Sequence, residues 1–271
     1  MNVFRHLLMF WLLIVSTTIF ARTIPALQST PEACVSAIKA AEKLPRNTAS
    51  QSINVLSWNV HKLQKQAAVY EAMGYSLESN IMFLQEALEN EDLLKSKPFS
   101  SFAMGYQTRD FNSGVLTLSD YPIVVRCSYL HIEPWLRTPK ATNIMLLDVG
   151  GTHLLTANIH SINFTLRTKV FEAQLNSMQE IFLAYDGPVI FGGDFNTWSD
   201  RRINALNRIA SGANLTEVEF QEGIRKQVFG SSLDRFFIRD INIIKSKSSA
   251  SKNSDHNPIF VTLELNAPKK T

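Results

Sequence analysis

Short apolar runs separated by turn residues recur from Ile53 to Leu265, and this spacing predicts a chain built mainly of short β-strands. The runs are rich in Val, Ile, Leu and Phe, while Gly, Pro, Asn, Asp or Ser lies between them. The strand candidates are INVLSWNV, IMFLQEA, SGVLTLS, IVVRCSYLHI, NIMLLDVG, THLLTANIH, PVIFGGDF, SLDRFFI and PIFVTLEL. The pattern contains no internal repeat, which argues against a solenoid or propeller.

Helical spacing of apolar residues occurs in a few stretches. TPEACVSAIKAAEKLP predicts a helix that begins at Thr30 and Pro31 and stops at Pro45. SDRRINALNRIA predicts another, with Ser199 as its N-cap. In TLRTKVFEAQLNSMQEIFLAY, the apolar residues on one helical face are Leu166, Val170, Leu175, Met178 and Phe182. Helices interspersed among mostly sequential strands favour two packed sheets covered by helices over a single parallel sheet.

The same pattern divides the chain into segments. Residues 22–52 hold the first helix and a polar linker, RNTASQS, and residues 53–266 hold the main domain, followed by a tail at 267–271. With 271 residues, of which 45% are hydrophobic, the chain can bury a sizeable core. The fold class expected is therefore α/β.

Residues 1–21 have the features of an export signal. Arg5 precedes an uncharged apolar run from Leu7 to Phe20, and Ala21 follows as a possible cleavage position. The run is 14 residues long, which is short for a membrane span of about 20 residues. Ile19 fits a cleavage motif poorly, so an uncleaved membrane anchor at residues 7–20 stays open as an alternative. Either interpretation predicts a periplasmic or secreted protein.

Charge and cysteine content narrow the partners only slightly. The formal net charge is +3, so no strong field indicates or excludes a polyanionic partner. Cys34 and Cys127 are the two cysteines, and their spacing does not suggest a zinc site. In an oxidising compartment they could form a disulfide, but two free thiols are equally compatible with the sequence.

Polar residues that could take part in catalysis or metal binding lie at or beside the ends of several predicted strands. A packed pair of sheets could gather these side chains at one rim. They are Asn59, Glu86, His160, Asp194, Asn196, Asp234, Asp255 and His256.

The residue types in this set suit hydrolysis of a phosphate ester. Clusters of Asp, Glu and Asn oxygens suit a hard cation such as Mg²⁺ or Mn²⁺. Histidines beside carboxylates suit proton transfer, because an unperturbed histidine titrates near pH ~6.5. In GGDFN, Asp194 and Asn196 are two residues apart, so on a strand they would point to the same side.

The motifs LSWNVHK, LQE, NIHSIN, GGDFNTW, LDRFF and SDHNP occur in the order typical of the endonuclease/exonuclease/phosphatase superfamily. The chain resembles this deoxyribonuclease I-like superfamily from about Ile53 to Leu265. NIHSINFTL, RRINAL, FGSSLDRFFIRDI and SDHNPIFV further resemble an uncharacterised group of bacterial envelope members. The resemblance implies a four-layer α/β/β/α sandwich of two packed mixed sheets flanked by helices.

The resemblance also implies a site for Mg²⁺ or Mn²⁺. Glu86 would be the principal metal ligand, with Asn59 and Asp255 close to the same cation. His61 follows Asn59 by two residues, where some members carry an acid or another residue. That departure leaves the exact set of ligands open.

Catalytic roles follow from the same resemblance. His256 would act as the general base or electrostatic partner at the scissile phosphate, oriented by Asp234. Asp194 would position or activate the attacking water, and Asn196 would hold that water or a phosphate oxygen. His160 would contact the phosphate or donate a proton.

Other basic residues have weaker support. Arg137 and Lys140 could bind a substrate phosphate, and Trp135 could pack against a base or a lipid, although a solvated loop with one buried aromatic is the commoner arrangement. Three arginines share one predicted helix and are expected to form a solvated face: Arg201, Arg202 and Arg208.

The function expected is an exported, divalent-metal-dependent phosphoesterase, most simply a nuclease-like phosphodiesterase that uses in-line attack by water. Phospholipase C- or sphingomyelinase-like activity, inositol-phosphate phosphatase activity and a non-catalytic binding module on the same fold remain alternatives. The partner expected is a phosphoester, with nucleic acid and phospholipid unresolved. Membrane association is expected only through the N-terminal segment, and no protein partner is inferred.

Overall fold

Strands dominate the computed structural model, which describes residues 24–25, 29–42, 51–63, 65–165, 167–220 and 224–265. The strands are β1 (Ile24–Pro25), β2 (Gln51–Asn59), β3 (Ile81–Leu88), β4 (Phe99–Gln107), β5 (Asn112–Ser119), β6 (Ile123–Ile132), β7 (Pro139–Val149), β8 (Thr152–His160), β9 (Val189–Asp194), β10 (Thr216–Glu217), β11 (Gln227–Val228), β12 (Ser231–Ser232), β13 (Asp234–Arg239), β14 (Ile241–Ser248) and β15 (Ile259–Leu265). The α-helices are α1 (Pro31–Ala41), α2 (Gln66–Ser76), α3 (Glu91–Leu94), α4 (Lys169–Leu183) and α5 (Asp200–Gly212).

The strands form two mixed sheets and one small hairpin. Within the described residues, the first sheet has seven strands in the order β1-β4-β5-β3-β2-β15-β14, and the second has six in the order β10-β13-β9-β8-β7-β6. The pairs β1/β4, β2/β3 and β8/β9 are parallel, and the other pairs in both sheets are antiparallel. Strands β11 and β12 form a separate hairpin.

The two sheets pack face to face and carry helices on their outer faces. Side chains such as Phe83 from the first sheet and Met145 and Phe236 from the second fill the space between them. Helices α2 and α3 cover the first sheet, and α1, α4 and α5 cover the second. The prediction of a four-layer α/β/β/α sandwich is confirmed.

A disulfide joins the N-terminal helix to the second sheet. Thr30 caps α1 by accepting a hydrogen bond from the Ala33 amide at 3.3 Å, and Cys34 and Ile38 face the core. Cys34 is bonded to Cys127 of β6 across 93 residues of sequence. The pairing that the sequence left open is therefore present, and it fixes α1 against an edge strand.

Some elements differ from the sequence-based expectation. The strand candidates omit β4 and β14, because β4 contains Ser and Gly and β14 is an edge strand whose residues are mostly exposed. Gln51 and Ser52 already belong to β2, since they pair with Leu265 and Glu264. The predicted signal or anchor at 1–21, the tail at 267–271 and Leu166 lie outside the described residues.

None of the helices in the described ranges is both long and apolar enough to cross a membrane.

Candidate active site

Strand register brings three of the candidate residues to one rim of the second sheet. His160 ends β8 and lies opposite Asp194, which ends β9, in the parallel pairing of these strands. Asp194 also lies opposite Asp234, the first residue of β13, in the antiparallel pairing on its other side. Three neighbouring strands therefore present an imidazole and two carboxylates side by side.

Glu86 reaches the same rim by a different route. The sequence places it at the end of a strand, but this is wrong, because β3 continues to Leu88. The pairing of β3 with β5 shifts register between Leu84 and Ala87, and Glu86 has a φ of 50°. This bulge turns Glu86 toward the second sheet, so that one of its carboxylate oxygens lies 3.9 Å from Nε2 of His160.

Asn59 and Asn196 hold the Asp194 carboxylate in place. The Asn59 Nδ2 donates to Oδ2 of Asp194 at 3.1 Å, and the backbone amide of Asn196 donates to Oδ1 at 2.9 Å. Asn196 has a φ of 50° and donates from Nδ2 to the Ser161 carbonyl at 3.1 Å. Burial raises the pKa of Asp194, and the nearby charge of His256 opposes this rise only in part. The carboxylate is fixed in direction and is more basic than an exposed aspartate.

His256 is oriented through its Nδ1, which donates to Oδ2 of Asp234 at 2.8 Å. The backbone carbonyl of His256 also accepts from Nε1 of Trp58 at 2.9 Å, which anchors its loop to β2. Burial lowers the pKa of His256, but Asp234, Asp194 and Asp255 outweigh burial and raise the pKa to about 10. Its ring is therefore a cation near neutral pH, with Nε2 directed toward Asp194 at 4.0 Å.

His160 has the opposite environment. Nζ of Lys140 donates to Nε2 of His160 at 2.8 Å, so Nε2 acts as an acceptor. Burial, followed by the charges of Lys140, His256 and Lys62, lowers the pKa of His160 well below its usual value. Its ring is therefore neutral near neutral pH, and Nε2 lies 3.7 Å from Oδ2 of Asp194.

Arg202 supports Asn196 from inside the protein. The expectation that Arg202 lies on a solvated helix face is wrong, since it is 1% exposed and its guanidinium lies 4.1 Å from the ring centroid of Phe171. Its Nε donates to the Asn196 carbonyl at 2.7 Å, and its terminal nitrogens donate to the carbonyls of Ile162 and Asn163. One cation thereby joins the segment that follows β9 to the segment that follows β8.

The helical periodicity of α5 contains the signal for this burial. The buried positions of α5 are Arg202, Ala205, Leu206, Ile209 and Ala210, which follow the three- and four-residue spacing of a helix face directed at the core.

Gln85 forms a polar bridge between the two sheets that the motif analysis missed. Its Nε2 donates to Oδ1 of Asn158 in β8 at 2.7 Å and to Oγ of Ser57 in β2 at 3.2 Å. Asn158 in turn donates to the Leu116 carbonyl in β5 at 3.0 Å. The signal was a glutamine inside the apolar run IMFLQEA, because a buried amide must find partners.

The oxygen donors fit a hard cation that keeps part of its water shell. The described residues contain no cluster of three or more His, Cys, Asp and Glu arranged to hold a metal. Mg²⁺, however, is commonly bound through one or two carboxylates plus water. Glu86 supplies one carboxylate, whose nearest ion-pair partners in the described ranges, Lys62 and His160, are each 3.9 Å away. Oδ1 of Asn59 could serve as a second oxygen ligand for the metal. It already accepts a hydrogen bond from the His61 amide at 3.1 Å.

Asp255, the third predicted metal ligand, lies near the surface and forms ion pairs. Its carboxylate is half exposed, lying 3.1 Å from Nδ1 of His61 and 3.4 Å from Nζ of Lys226. These neighbours engage both of its oxygens, and its role as a metal ligand stays a prediction.

The two weaker candidates for substrate binding are also separated. Lys140 is buried and bonded to His160. Arg137 is exposed at the turn between β6 and β7, where its φ is 53° and its amide donates to the Glu133 carbonyl at 2.9 Å. Trp135, in the same turn, is exposed as well, so the expectation of a buried aromatic in this loop is wrong.

The sequence model of the Endonuclease/Exonuclease/phosphatase family matches residues 56–256, which include all of these candidate site residues. The chain belongs to the endonuclease/exonuclease/phosphatase family. A UPF0294 protein of Vibrio campbellii is 32% identical over 220 residues, which cover 79% of this chain and 78% of that protein.

Solved structures of the endonuclease/exonuclease/phosphatase family share the fold. A family protein from Leptotrichia buccalis has a TM-score of 0.60 at 19% identity, over 78% of this chain and 99% of that chain. A mannosyl-6-phosphatase from Bacteroides thetaiotaomicron has a TM-score of 0.57 at 15% identity, over 78% of this chain and 99% of that chain. At these identities the likeness bears on the fold alone.

Proposed function

We propose that this chain is an exported, divalent-metal-dependent phosphoesterase that hydrolyses a phosphodiester by in-line attack of water. One observation carries the proposal. Asp194 is flanked by His256, which is bonded to Asp234, and by His160, which is bonded to Lys140. Despite burial, the Asp234 carboxylate raises the pKa of His256, whereas burial and Lys140 lower the pKa of His160. Such a set can accept a proton on one group and stabilise negative charge with another, which ester hydrolysis at phosphorus requires.

The geometry supports a division of labour among these groups. The 4.0 Å between Nε2 of His256 and Oδ2 of Asp194 is too long for a direct hydrogen bond. Nε2 can therefore face a reacting oxygen, and Oδ2 keeps a second lone pair beside the hydrogen bond that it accepts from Asn59. Asp194, held by Asn59 and Asn196, orients the water and accepts its proton. The His256 cation stabilises charge on the phosphoryl oxygens, and Lys140 adds a second positive charge across the site.

Glu86 and Asn59 would hold Mg²⁺ or Mn²⁺ at this rim. Such a cation, when bound, polarises a phosphoryl oxygen and offsets negative charge. Glu86 supplies the carboxylate, and its bulge aims it at the site.

Export is part of the proposal. The disulfide between Cys34 and Cys127 supports it, because such bonds persist mainly in oxidising compartments. The apolar run of residues 7–20 is the export segment, and a fusion of residues 1–30 to a reporter active only outside the cytoplasm would test it. Reporter activity is expected, and its absence would contradict export.

The enzymatic part is tested with the purified chain on plasmid DNA, RNA, sphingomyelin, phosphoinositides and bis-p-nitrophenyl phosphate, each with Mg²⁺, Mn²⁺ or EDTA. We expect turnover that EDTA abolishes and that His256→Ala and Glu86→Gln lack. Lys245→Gln, an exposed change on the edge strand β14, is the matched control and should retain activity. Metal binding without turnover of any substrate would favour the binding module instead.

A further inference from the structure

A cavity of about 420 Å³ opens beside the catalytic rim and is lined by two chemically different sets of side chains. Lys62, Glu86, Lys140 and His160 line it and also contact or approach one another at the rim. The rest of the lining includes the apolar groups Tyr106, Val115, Leu136, Pro139, Ala141 and Phe164, together with the buried Glu133. This volume falls within the range of about 300–1,000 Å³ typical of small-molecule sites.

Small side chains explain why this space between the sheets is open. Where the core is full, Phe83 and Phe236 lie with their ring centroids 6.0 Å apart. Beside the cavity, the buried cluster consists of Ala103, Val115 and Ala141. Because these residues cannot fill the space that phenylalanine fills elsewhere, a ligand can enter between the sheets.

The wall of the cavity is fixed by a buried carboxylate. Glu133 is 1% exposed, and its Oε1 accepts from the amides of Asn163 at 2.7 Å and Phe164 at 3.3 Å. The Glu133 amide also donates to the Thr138 carbonyl at 3.0 Å, which closes the turn that carries Leu136. One residue thus connects the turn between β6 and β7 to the segment after β8, so the cavity does not have to form on binding.

Large apolar side chains remain exposed at this cavity. Leu136 is 58% exposed and Phe164 is 53% exposed, although both line a concave surface. Exposed apolar groups beside polar ones are a common mark of a ligand site. Burying them against an apolar ligand is favourable by the hydrophobic effect.

We infer that this cavity binds an uncharged alkyl or aryl arm of a soluble phosphoester, with the phosphate beside Lys62, Lys140 and His160. The inference rests on the proposed function, because it places the scissile phosphate at the rim. Because charged and apolar side chains line one cavity, a molecule that carries both an anionic group and an apolar group would match its lining. The arm therefore sets specificity, while the rim acts on the phosphate.

Binding of non-hydrolysable methyl-, butyl- and hexylphosphonate to the full chain with Mg²⁺, measured by calorimetry, tests the cavity without requiring turnover. We expect affinity to rise about two- to fourfold per added methylene. Leu136→Ser and Phe164→Ser should flatten this rise. Ile244→Ser changes a residue that is also 58% exposed but lies on β14, and it should leave the rise unchanged.

Three outcomes overturn the inference. The first is equal affinity across the series, and the second is no binding of hexylphosphonate. The third is binding only when a long-chain phosphonate is embedded in phosphatidylcholine vesicles, which would assign the apolar groups to a bilayer surface.

A parallel assay of turnover with methyl and hexyl p-nitrophenyl phosphate separates the two proposals. Chain-length-dependent binding without turnover would contradict the proposed function and keep the cavity. Turnover of these esters, with equal affinity for all the phosphonates, would support the proposed function and contradict the inference about the cavity.

Discussion

His160 and His256 approach the same carboxylate from two sides, yet their charge states differ. Both rings are buried, and both Nε2 atoms lie within 4.0 Å of Oδ2 of Asp194. His256 has an aspartate behind its ring, which raises its pKa to about 10 despite burial. His160 has burial and Lys140 acting together, which lower its pKa. The residue behind or beside each imidazole, rather than the imidazole itself, determines its chemical role.

This asymmetry is encoded by strand register rather than by local motifs. Asp234 lies opposite Asp194 in the pairing of β13 with β9 and thereby meets His256. Lys140 is placed by β7, whose next neighbour in the sheet is the strand that ends at His160. The partners are therefore 22 and 20 residues distant in sequence from the histidines that they control.

Removing the charge behind His256 should have the largest effect. Asp234→Asn preserves an acceptor for Nδ1 but removes the negative charge that keeps the ring protonated. We expect kcat to fall by about 10²–10⁴-fold, with KM changed much less, in steady-state assays on the best substrate. Asp186→Asn, at an exposed position, is the matched control, and a kcat for Asp234→Asn within twofold of wild type would contradict the role assigned to this pair.

Arg202→Lys should weaken the contacts that join the segment after β8 to the segment after β9. Lysine keeps a charge, but its single nitrogen cannot occupy the three positions from which Nε and the two terminal nitrogens of Arg202 donate. Leaving buried carbonyls unpaired should lower the free energy of unfolding by about 2–4 kcal/mol, as measured by urea denaturation. Arg201→Lys, on the exposed side of the same helix, should change it by less than about 0.5 kcal/mol, and equal effects of the two changes would show that the buried contacts contribute little.

Lys140→Gln should affect the His160 side alone. Loss of a charge-assisted hydrogen bond, worth about 1.5–3 kcal/mol, should lower kcat/KM by about 10–100-fold. Because His256 keeps Asp234, its NMR signals should still report a cation at pH 8. Loss of the His256 charge in this variant would show that the two sides are coupled rather than separate.

The pH dependence of stability should show the two histidines with opposite signs. The folded pKa of His256 is above the ordinary value of 6.5, so its contribution is fully present below pH ~6.5 and is lost as pH rises toward about 10. The folded pKa of His160 is below the ordinary value, so stability falls as pH drops below ~6.5. The free energy of unfolding of the metal-free protein, measured by urea denaturation, should fall less steeply with rising pH in His256→Gln. It should fall less steeply with decreasing pH in His160→Gln. Unchanged slopes would contradict the assigned charge states.

The sequence predicted the residues that come together where short polar motifs end strands. This reasoning predicted the positions of Asn59, His160 and Asp194. Apolar runs locate the strands, and the polar residue that ends each run must lie at the rim. The two packed sheets could also be predicted from the sequence, because many short strands with few helices can bury their faces only against each other.

Other features depend on distances in space that no local pattern contains. The pairing of Cys34 with Cys127 requires knowledge of which edge strand α1 covers. The bulge at Glu86 requires the register between β3 and β5. Arg202 was different, because its helical position predicted burial and its charge led to the opposite expectation; the carbonyls that make burial possible come from segments up to 40 residues away.

The backbone around the site also limits how this protein can be made more robust. Of the eight non-glycine residues with positive φ in the described ranges, four lie in or beside the candidate site: His61, Lys62, Glu86 and Asn196. Left-handed conformations of this kind are held against a cost of about 1–3 kcal/mol each. Glycine at Glu86 or Asn196 would relax the backbone while removing the side chain that the strained conformation aims. Selection for heat resistance alone would therefore favour changes that erase the site, which sets activity and durability against each other at these positions.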